Sequence, residues 1–248
     1  MIIIIVKREN IRFSSGNPFL FCSIWESEDC EWVFRASEGS SGGILSIWRK
    51  SCASVVSSFQ EEGYVRVNLD WGVEKIRCID INVYSKCDLP AKKRLWDNLI
   101  GERQTRGGGV WCVLGDFNVV GWRDERRGVN EEASSTHILE IFLFNSLLGD
   151  MELENLKVLG RRFTWYHPNG RSMSRIDRML ISKERDQVWG ENVICAFPRD
   201  ISGHCPLVLK NGGWNWGPSP FRFINFWLQD SDFKGVIDVT TRFSLFSF

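Results

Sequence analysis

The chain has 248 residues, enough for one large domain or two small ones. Apolar residues make up 43% and charged residues 25%, which excludes a disordered or collagen-like polymer. Basic and acidic residues balance at 31 each, so a uniformly basic nucleic-acid binder is excluded, while a local basic face is not. The longest apolar run, Ile2 to Val6, is far short of the ~20 residues of a membrane span. Lys7 and Arg8 follow that run, the wrong order for a signal peptide. The expectation is a chain with no membrane partner, nuclear or cytoplasmic and not secreted. Eight cysteines form no Cys-x-x-Cys pair and show no zinc spacing. They read as small buried hydrophobes in a reducing compartment.

Along the chain, the apolar run Phe19 to Trp25 predicts a strand, and 37–43 (Ser-Glu-Gly-Ser-Ser-Gly-Gly) predicts a turn cluster. Strands are predicted over Ile44 to Trp48, Ala53 to Phe59, Tyr64 to Leu69 and Lys75 to Tyr84. Leu89 to Gln104 carries Leu95, Trp96 and Leu99 on one side and opens near Pro90, so it predicts an amphipathic helix. Gly107, Gly108 and Gly109 end it. Val110 to Leu114 is a continuous apolar run, a buried strand that stops at Gly115-Asp116-Phe117-Asn118. Thr136 to Leu148 has helical apolar spacing. Arg162 to Tyr166 and Arg175 to Ile181 read as strands joined by the Pro168-Asn169-Gly170 turn, and Leu207 to Leu209 as a last strand. Beyond Lys210 the composition turns to Gly, Trp, Pro and Phe. The expected division is a divergent N-terminus over 1–22, a main domain over 23–210 and a linker or partial extension over 211–248. Many strands with few helices predict two packed sheets flanked by helices.

Three elements carry candidate chemistry. Gly115-Asp116-Phe117-Asn118 delivers a carboxylate and an amide to the end of a buried strand, with i and i+2 on one side. That pair suits orientation of a water beside a phosphate, and it suits an ordinary turn equally well. Ser174-Arg175-Ile176-Asp177-Arg178 places Asp177 in an apolar strand pattern. That is costly unless Asp177 is functional or bonded to Arg175 or Arg178. Ser202-Gly203-His204-Cys205-Pro206-Leu207 places a histidine before the last strand, where an Asp–His pair would orient the imidazole. Residues 157–185 add Lys157, Arg161, Arg162, Arg171, Arg175, Arg178, Lys183 and Arg185 against Asp177 and Glu184. This stretch is either a solvated surface or a face for a polyanion.

The ordered set Asn82-Val83-Tyr84, Gly115-Asp116-Phe117-Asn118, Phe163-Thr164-Trp165, Ser174 to Arg178 and Ser202 to Leu207 resembles the endonuclease/exonuclease/phosphatase superfamily, whose fold is DNase I-like. Within it, Asp124-Glu125-Arg126-Arg127-Gly128, Gly160 to Trp165 and Gly217 to Phe223 resemble the apurinic-type endonuclease domain of plant non-LTR (LINE-type) retrotransposon polyproteins. The resemblance implies an α/β fold, a four-layer αββα sandwich with its site at one end of the paired sheets. It implies Mg²⁺-dependent phosphodiester hydrolysis that nicks DNA, the expected partner. Asp116 would activate water, and Asn118 would place it. Asp177 would orient His204, which stabilises the transition state. Tyr84, Thr164 and Ser202 would contact phosphate oxygens, and Arg171 would lean on the DNA.

The sequence departs from that family in three places. The family's first strand ends in Trp-Asn, whose Asn lines the site, whereas the equivalent place here is Lys7 and Asn10 is three residues too far. The family's Gln-Glu after its second strand, whose Glu is the main metal ligand, has no counterpart in place, since Gln60-Glu61 comes too late. Glu26 is the available substitute. The family's Ser-Asp-His is Ser202-Gly203-His204. The implied domain lacks part of its N-terminal strand–helix–strand, and the implied Mg²⁺ site is weakened and the activity impaired. The alternative is an inactive truncated retroelement fragment that at most binds nucleic acid through Arg161, Arg162, Arg171, Arg175 and Arg178.

Overall fold

A computed structural model describes residues 21–22, 25–36, 43–128, 135–199 and 202–211. The chain divides into two units, Met1–Gly212 and Gly213–Phe248, and every described residue lies in the first. The expectations for Ile2 to Val6, for 37–42 and for everything beyond Asn211 fall outside the described residues. So does the expected shortening of the N-terminal strand–helix–strand.

The elements run β1 (Glu31–Arg35), β2 (Ile44–Trp48), β3 (Ala53–Glu61), β4 (Tyr64–Trp71), β5 (Ile76–Tyr84), α1 (Leu89–Arg106), β6 (Val110–Asp116) and β7 (Arg126–Arg127). They continue with α2 (Ser135–Asp150), β8 (Leu153–Asn155), β9 (Val158–Leu159), β10 (Trp165–Tyr166), β11 (Met173–Ser174), β12 (Asp177–Ser182), α3 (Lys183–Val188), β13 (Val193–Ala196) and β14 (Leu207–Lys210). Six strands form the main sheet in the order β3-β4-β5-β6-β12-β8. The β5–β6 pair is parallel and is connected through α1, while β12 returns antiparallel to β6.

Alternation along the strands assigns the two faces of this sheet. Ile79, Ile81, Val83, Trp111 and Val113 point to one face, where Leu95, Trp96 and Leu99 of α1 and Phe144 and Leu147 of α2 close over them. The opposite face carries Val65, Val67, Leu69 and Cys78 against Ile44 and Trp48 of β2. It also carries Cys112, Leu114, Met179 and Ile181 against Ile194 of β13. Outside β1 and β2 sits another layer, where Phe21 packs on Leu45 and Ile47. The architecture is the expected α/β sandwich, with the two-stranded β1-β2 sheet and the three-stranded β14-β13-β9 sheet together facing the six-stranded one and α1 and α2 on its other side. No helix among the described residues is long and apolar enough to cross a membrane.

Local chemistry explains the elements that matter for the site. The Asp88 side chain accepts the Ala91 N–H at 2.9 Å and caps α1, with Pro90 in its first turn. The buried Lys92–Glu140 ion pair, at 3.1 Å, joins α1 to α2. Gly115 is required where it stands. Its φ is +134°, and a Cβ there would lie 2.0 Å from the Val83 carbonyl oxygen.

Two sequence expectations change. Phe21, Cys22 and Trp25 are helical and not part of a strand. Phe21 and Trp25 are four residues apart and join one apolar cluster, a helical spacing that a short apolar run conceals. The strand expected over Arg175 to Ile181 breaks before Asp177. There the Arg175 N–H goes to the Glu125 carbonyl at 2.8 Å, and the Ile176 N–H to the Thr164 hydroxyl at 3.1 Å.

Asp80 is the one acidic residue of β5, and it faces the inter-sheet core. It is 4% exposed, and neither carboxylate oxygen has a hydrogen-bond partner. Burial pushes its pKa up to about 6, with the Arg185 charge opposing. A carboxyl whose folded pKa exceeds its unfolded value favours folding while protonated, and that contribution is lost as pH rises through the folded value. Asp80→Asn is therefore expected to leave stability unchanged near pH 4 and to raise it by about 2–3 kcal/mol at pH 8. Urea denaturation at the two pH values checks this.

Gly115→Ala should cost more than ~2 kcal/mol by the same assay, because neither the φ nor the β5 backbone can accept a methyl group.

Candidate functional site

The site forms where the two sheets open at one end. Asp116 is the last residue of β6. Its parity with Cys112 and Leu114 turns it toward the inter-sheet side. Asp177 is the first residue of β12 and is the direct cross-strand partner of Asp116. Tyr84, the last residue of β5, is the parallel partner of Asp116 on its other side. His204 comes from the connection between β13 and β14 and bridges to Trp165 of β10. The carboxylates therefore come from one sheet, and the imidazole from the connection between two strands of the other.

His204 Nδ1 lies 2.9 Å and 3.1 Å from the two Asp177 carboxylate oxygens. A carboxylate can only accept, so Nδ1–H donates. Ligand atoms of Asp116, Asp177 and His204 all lie within 4.8 Å of one another. Asp116 is 3% exposed. Its Oδ1 accepts the Asn118 N–H at 2.9 Å, while Asn118 Nδ2 donates to the Ser85 carbonyl at 2.6 Å. Asn118 takes φ +49°, a left-handed turn that asparagine tolerates. The two carboxylates suit a hard divalent cation that keeps most of its waters, with the imidazole beside them as a hydrogen-bond donor.

The remaining expected residues divide. Thr164 has no exposed surface, and its hydroxyl accepts the Ile176 and Asp177 N–H groups at 3.1 Å and 3.0 Å. It sets the backbone that presents Asp177. Ser202 Oγ accepts the His204 N–H at 3.1 Å and fixes the turn that carries the imidazole. Tyr84 is half-buried and lines a cleft of ≈ 310 Å³ together with Arg35, Lys86 and Arg94. Arg171 is exposed in the turn between β10 and β11, where its N–H is bonded to Asn169 Oδ1 at 2.9 Å. Glu26 is exposed in the turn after the Phe21–Trp25 segment, at φ +57°, and is not a member of the Asp116–Asp177–His204 group.

Glu125 is the residue that sequence reasoning passed over. It is 7% exposed, in a short 3-10 turn after β6. Its carboxylate accepts from Gly121 N–H at 2.6 Å, Trp122 N–H at 3.2 Å, and Arg175 Nη1 and Arg178 Nη1 at 3.0 Å each. Arg178 is fully buried and grips it with both nitrogens. Asp177 is thus bonded to neither arginine beside it; both reach Glu125 instead. Arg175 and Arg178 also leave the set of exposed basic groups open to a polyanion. Lys157, Arg162, Arg171 and Lys183 remain exposed. The sequence signal for Glu125 was the Asp-Glu-Arg-Arg-Gly phrase, whose acid had no assigned task.

With that geometry in view, the comparisons with known proteins become informative. The sequence pattern of the Endonuclease/Exonuclease/phosphatase family matches residues 36–227, well over half of the chain. The chain belongs to this family. Solved structures agree on the family fold. The endonuclease domain of TRAS1, a telomere-specific non-LTR retrotransposon, superposes with a TM-score of 0.56 at 12% identity, covering 78% of this chain and 90% of that one. The AP endonuclease LMAP from Leishmania major gives 0.57 at 12% identity, covering 80% and 75%. An endonuclease/exonuclease/phosphatase from Bacteroides vulgatus gives 0.52 at 12% identity, covering 74% and 77%. Comparison with curated protein sequences gives no match.

The Glu125 network yields a stability prediction. Burial alone would raise the Glu125 pKa, but the hydrogen bonds and charges of Arg178 and Arg175 hold it below the ordinary range. Its contribution is therefore complete above the usual glutamate pKa and is lost as pH falls through the depressed folded value. Glu125→Ala, which leaves two buried guanidinium groups uncompensated, should cost roughly 3–5 kcal/mol at pH 7. The loss should shrink in acid, as read by denaturation at both pH values.

Proposed function

We propose that this chain is a divalent-metal phosphodiesterase acting on DNA, of the nicking endonuclease type found in LINE-type retroelements. The observation that carries the reading is the Asp116–Asp177–His204 cluster at the open end of the paired sheets. The substrate class is supported by family membership and by likeness in fold to a retrotransposon endonuclease domain and an AP endonuclease. A nuclear or cytoplasmic setting follows from that substrate.

Each residue then has a task. Asp116 accepts a proton from the attacking water. Asn118, tied to the Asp116 carboxylate and the Ser85 carbonyl, orients that water and a phosphate oxygen. His204, held through Nδ1 by Asp177, presents Nε2–H to the oxygen on which charge develops. Tyr84 and Ser202 flank the phosphate, and Arg171 meets the backbone of the DNA beyond it. The carboxylates of Asp116 and Asp177 are the groups that would hold a divalent cation, Mg²⁺ in this reading, which when bound would supply Lewis acidity at the scissile phosphate. Glu26 would have to move toward these carboxylates to share that ion.

The proposed activity is impaired. No Gln-Glu stands in the family's position, and the residue before His204 is Gly203. A Cβ at Gly203 would lie 2.9 Å from the Tyr166 carbonyl oxygen, a closure that a carboxylate side chain could enter only by shifting that backbone. That closure also favours a second reading, an inactive relative that retains a nucleic-acid face through its exposed basic residues.

A supercoiled-plasmid nicking assay with Mg²⁺ tests the first reading. Asp116→Ala and His204→Ala should each lower nicking ~10²- to 10³-fold. Absence of nicking by the unaltered chain, with DNA retention at low salt that falls steeply as salt rises, would establish the second.

Restoring the carboxylate should not rescue the enzyme. Gly203→Asp and Gly203→Ala are both expected to melt below the unaltered chain, and Gly203→Asp to nick no faster. A stable, faster Gly203→Asp variant would contradict this account of the site.

A further inference from the structure

Two thiols outside the Asp116–Asp177–His204 group lie in contact. Cys22 Sγ and Cys30 Sγ are 3.6 Å apart, the one contact between cysteine sulfurs among the described residues. Both are free thiols, Cys22 half-buried and Cys30 4% exposed. The approach is fixed by packing at both ends of the segment. Phe21 is fully buried on Leu45 and Ile47, with its ring 5.4 Å from those of Trp32 and Phe34. Next to Cys30, the Asp29 carboxylate accepts from the Ser51 N–H at 2.9 Å and from the Ser51 hydroxyl at 2.5 Å, pinning the segment to the turn after β2. Between the two anchors the chain turns through Glu26 at φ +57°. The sulfurs, 3.6 Å apart, must close to ~2 Å to bond.

We propose that Cys22 and Cys30 are a redox pair that closes to an intramolecular disulfide under hydroperoxide, stapling the Glu26 turn against β1 and β2. The pair divides the labour by position. Cys22 is the accessible sulfur and reacts first. Its thiolate attacks one peroxide oxygen, the S–O bond forms as the O–O bond breaks, and the departing hydroxide leaves as water with the thiol proton. Cys30 then attacks the Cys22 sulfur. The S–S bond forms, the S–O bond breaks, and the second water carries away the Cys30 proton. Two thiols have lost two electrons, and one peroxide has become two waters. Burial, followed by the contact with Cys22, pushes the Cys30 thiol up to about 11, which suits a resolving thiol that waits for its partner. In a reducing compartment the pair rests open, so the staple reports oxidation. This inference rests on none of the catalytic assignments.

The test uses the full chain, treated with one equivalent of hydrogen peroxide, denatured, alkylated with N-ethylmaleimide and mapped by mass spectrometry. The expected result is a cross-linked peptide pair containing Cys22 and Cys30, about 2 Da lighter than the two reduced peptides, with the other six of the eight cysteines alkylated. Cys30→Ser should instead accumulate a sulfenic acid on Cys22, trapped by dimedone, and Cys22→Ser should accumulate none on Cys30. Cys22 and Cys30 both alkylated while exposed Cys87 is oxidised would overturn the pair. A melting curve tests the staple separately and needs no variant to fold. The oxidised chain should melt several degrees above the same sample reduced with dithiothreitol, and equal melting of the two would overturn the staple.

Discussion

A carboxylate clasped by two arginines holds the front of this molecule together. Glu125 lies in the connection after β6, and Arg175 and Arg178 lie on either side of Asp177. Three charged groups are removed from water together, and such burial is tolerable only when each finds its partners. Here the fixed fork of Arg178 meets both carboxylate oxygens, and backbone N–H groups of Gly121 and Trp122 take the remaining lone pairs. The Arg178 guanidinium also lies over the Phe144 ring, which ties the clasp to α2. The connection from Asn118 to Glu125 and the start of β12 are thereby held as one piece. Asn118 and Asp177 are the residues at the ends of that piece.

This arrangement separates support from chemistry along one short stretch of chain. Asp177 emerges between two arginines that would compete for its charge, yet both are taken by Glu125. Its carboxylate is left to orient His204. Thr164 completes the support from below, since its buried hydroxyl receives the two N–H groups that the interrupted strand leaves without a ladder partner. The site is assembled from two sheets, so the distance between Asp116 and His204 depends on how those sheets pack. The Asn82 amide, reaching across the core to the Leu45 carbonyl and the Ser46 hydroxyl, is one of the contacts that set the spacing. Asp80, two residues earlier on the same face, has no such partner and is a weak point of the same core.

Much of the frame was readable in order along the chain because its signals are local. The helix from Leu89 carries its own cap and its own proline, and the helix from Ser135 carries a regular apolar spacing. Val110 to Asp116 is apolar until it ends in polar residues. Gly115 marks the place where the neighbouring strand comes too close for any side chain. The elements that were missed lack such signals. Glu31–Arg35 is five residues with a charge at each end, Val193–Ala196 is an apolar run of only four, and α3 is six residues long. Phe21 to Trp25 was misassigned because a run of apolar residues is compatible with a strand until its packing partners select the helical spacing.

Local pattern in the chain carried the α/β character, the succession of the main strands and Asp116, Asn118 and His204 as polar residues beside strands, while it put Asp177 inside one. These are properties of neighbours in the chain, where periodicity, capping and turn chemistry act over a few residues. Which polar groups meet was set by the packing of the sheets. It gave Asp177 to His204, 27 residues away, and gave Arg178 to Glu125, 53 residues away. It also buried Thr164 and left Glu26 outside the cluster. Such pairings follow from the approach of two sheets, and a contact made across that gap leaves no periodic trace in either segment.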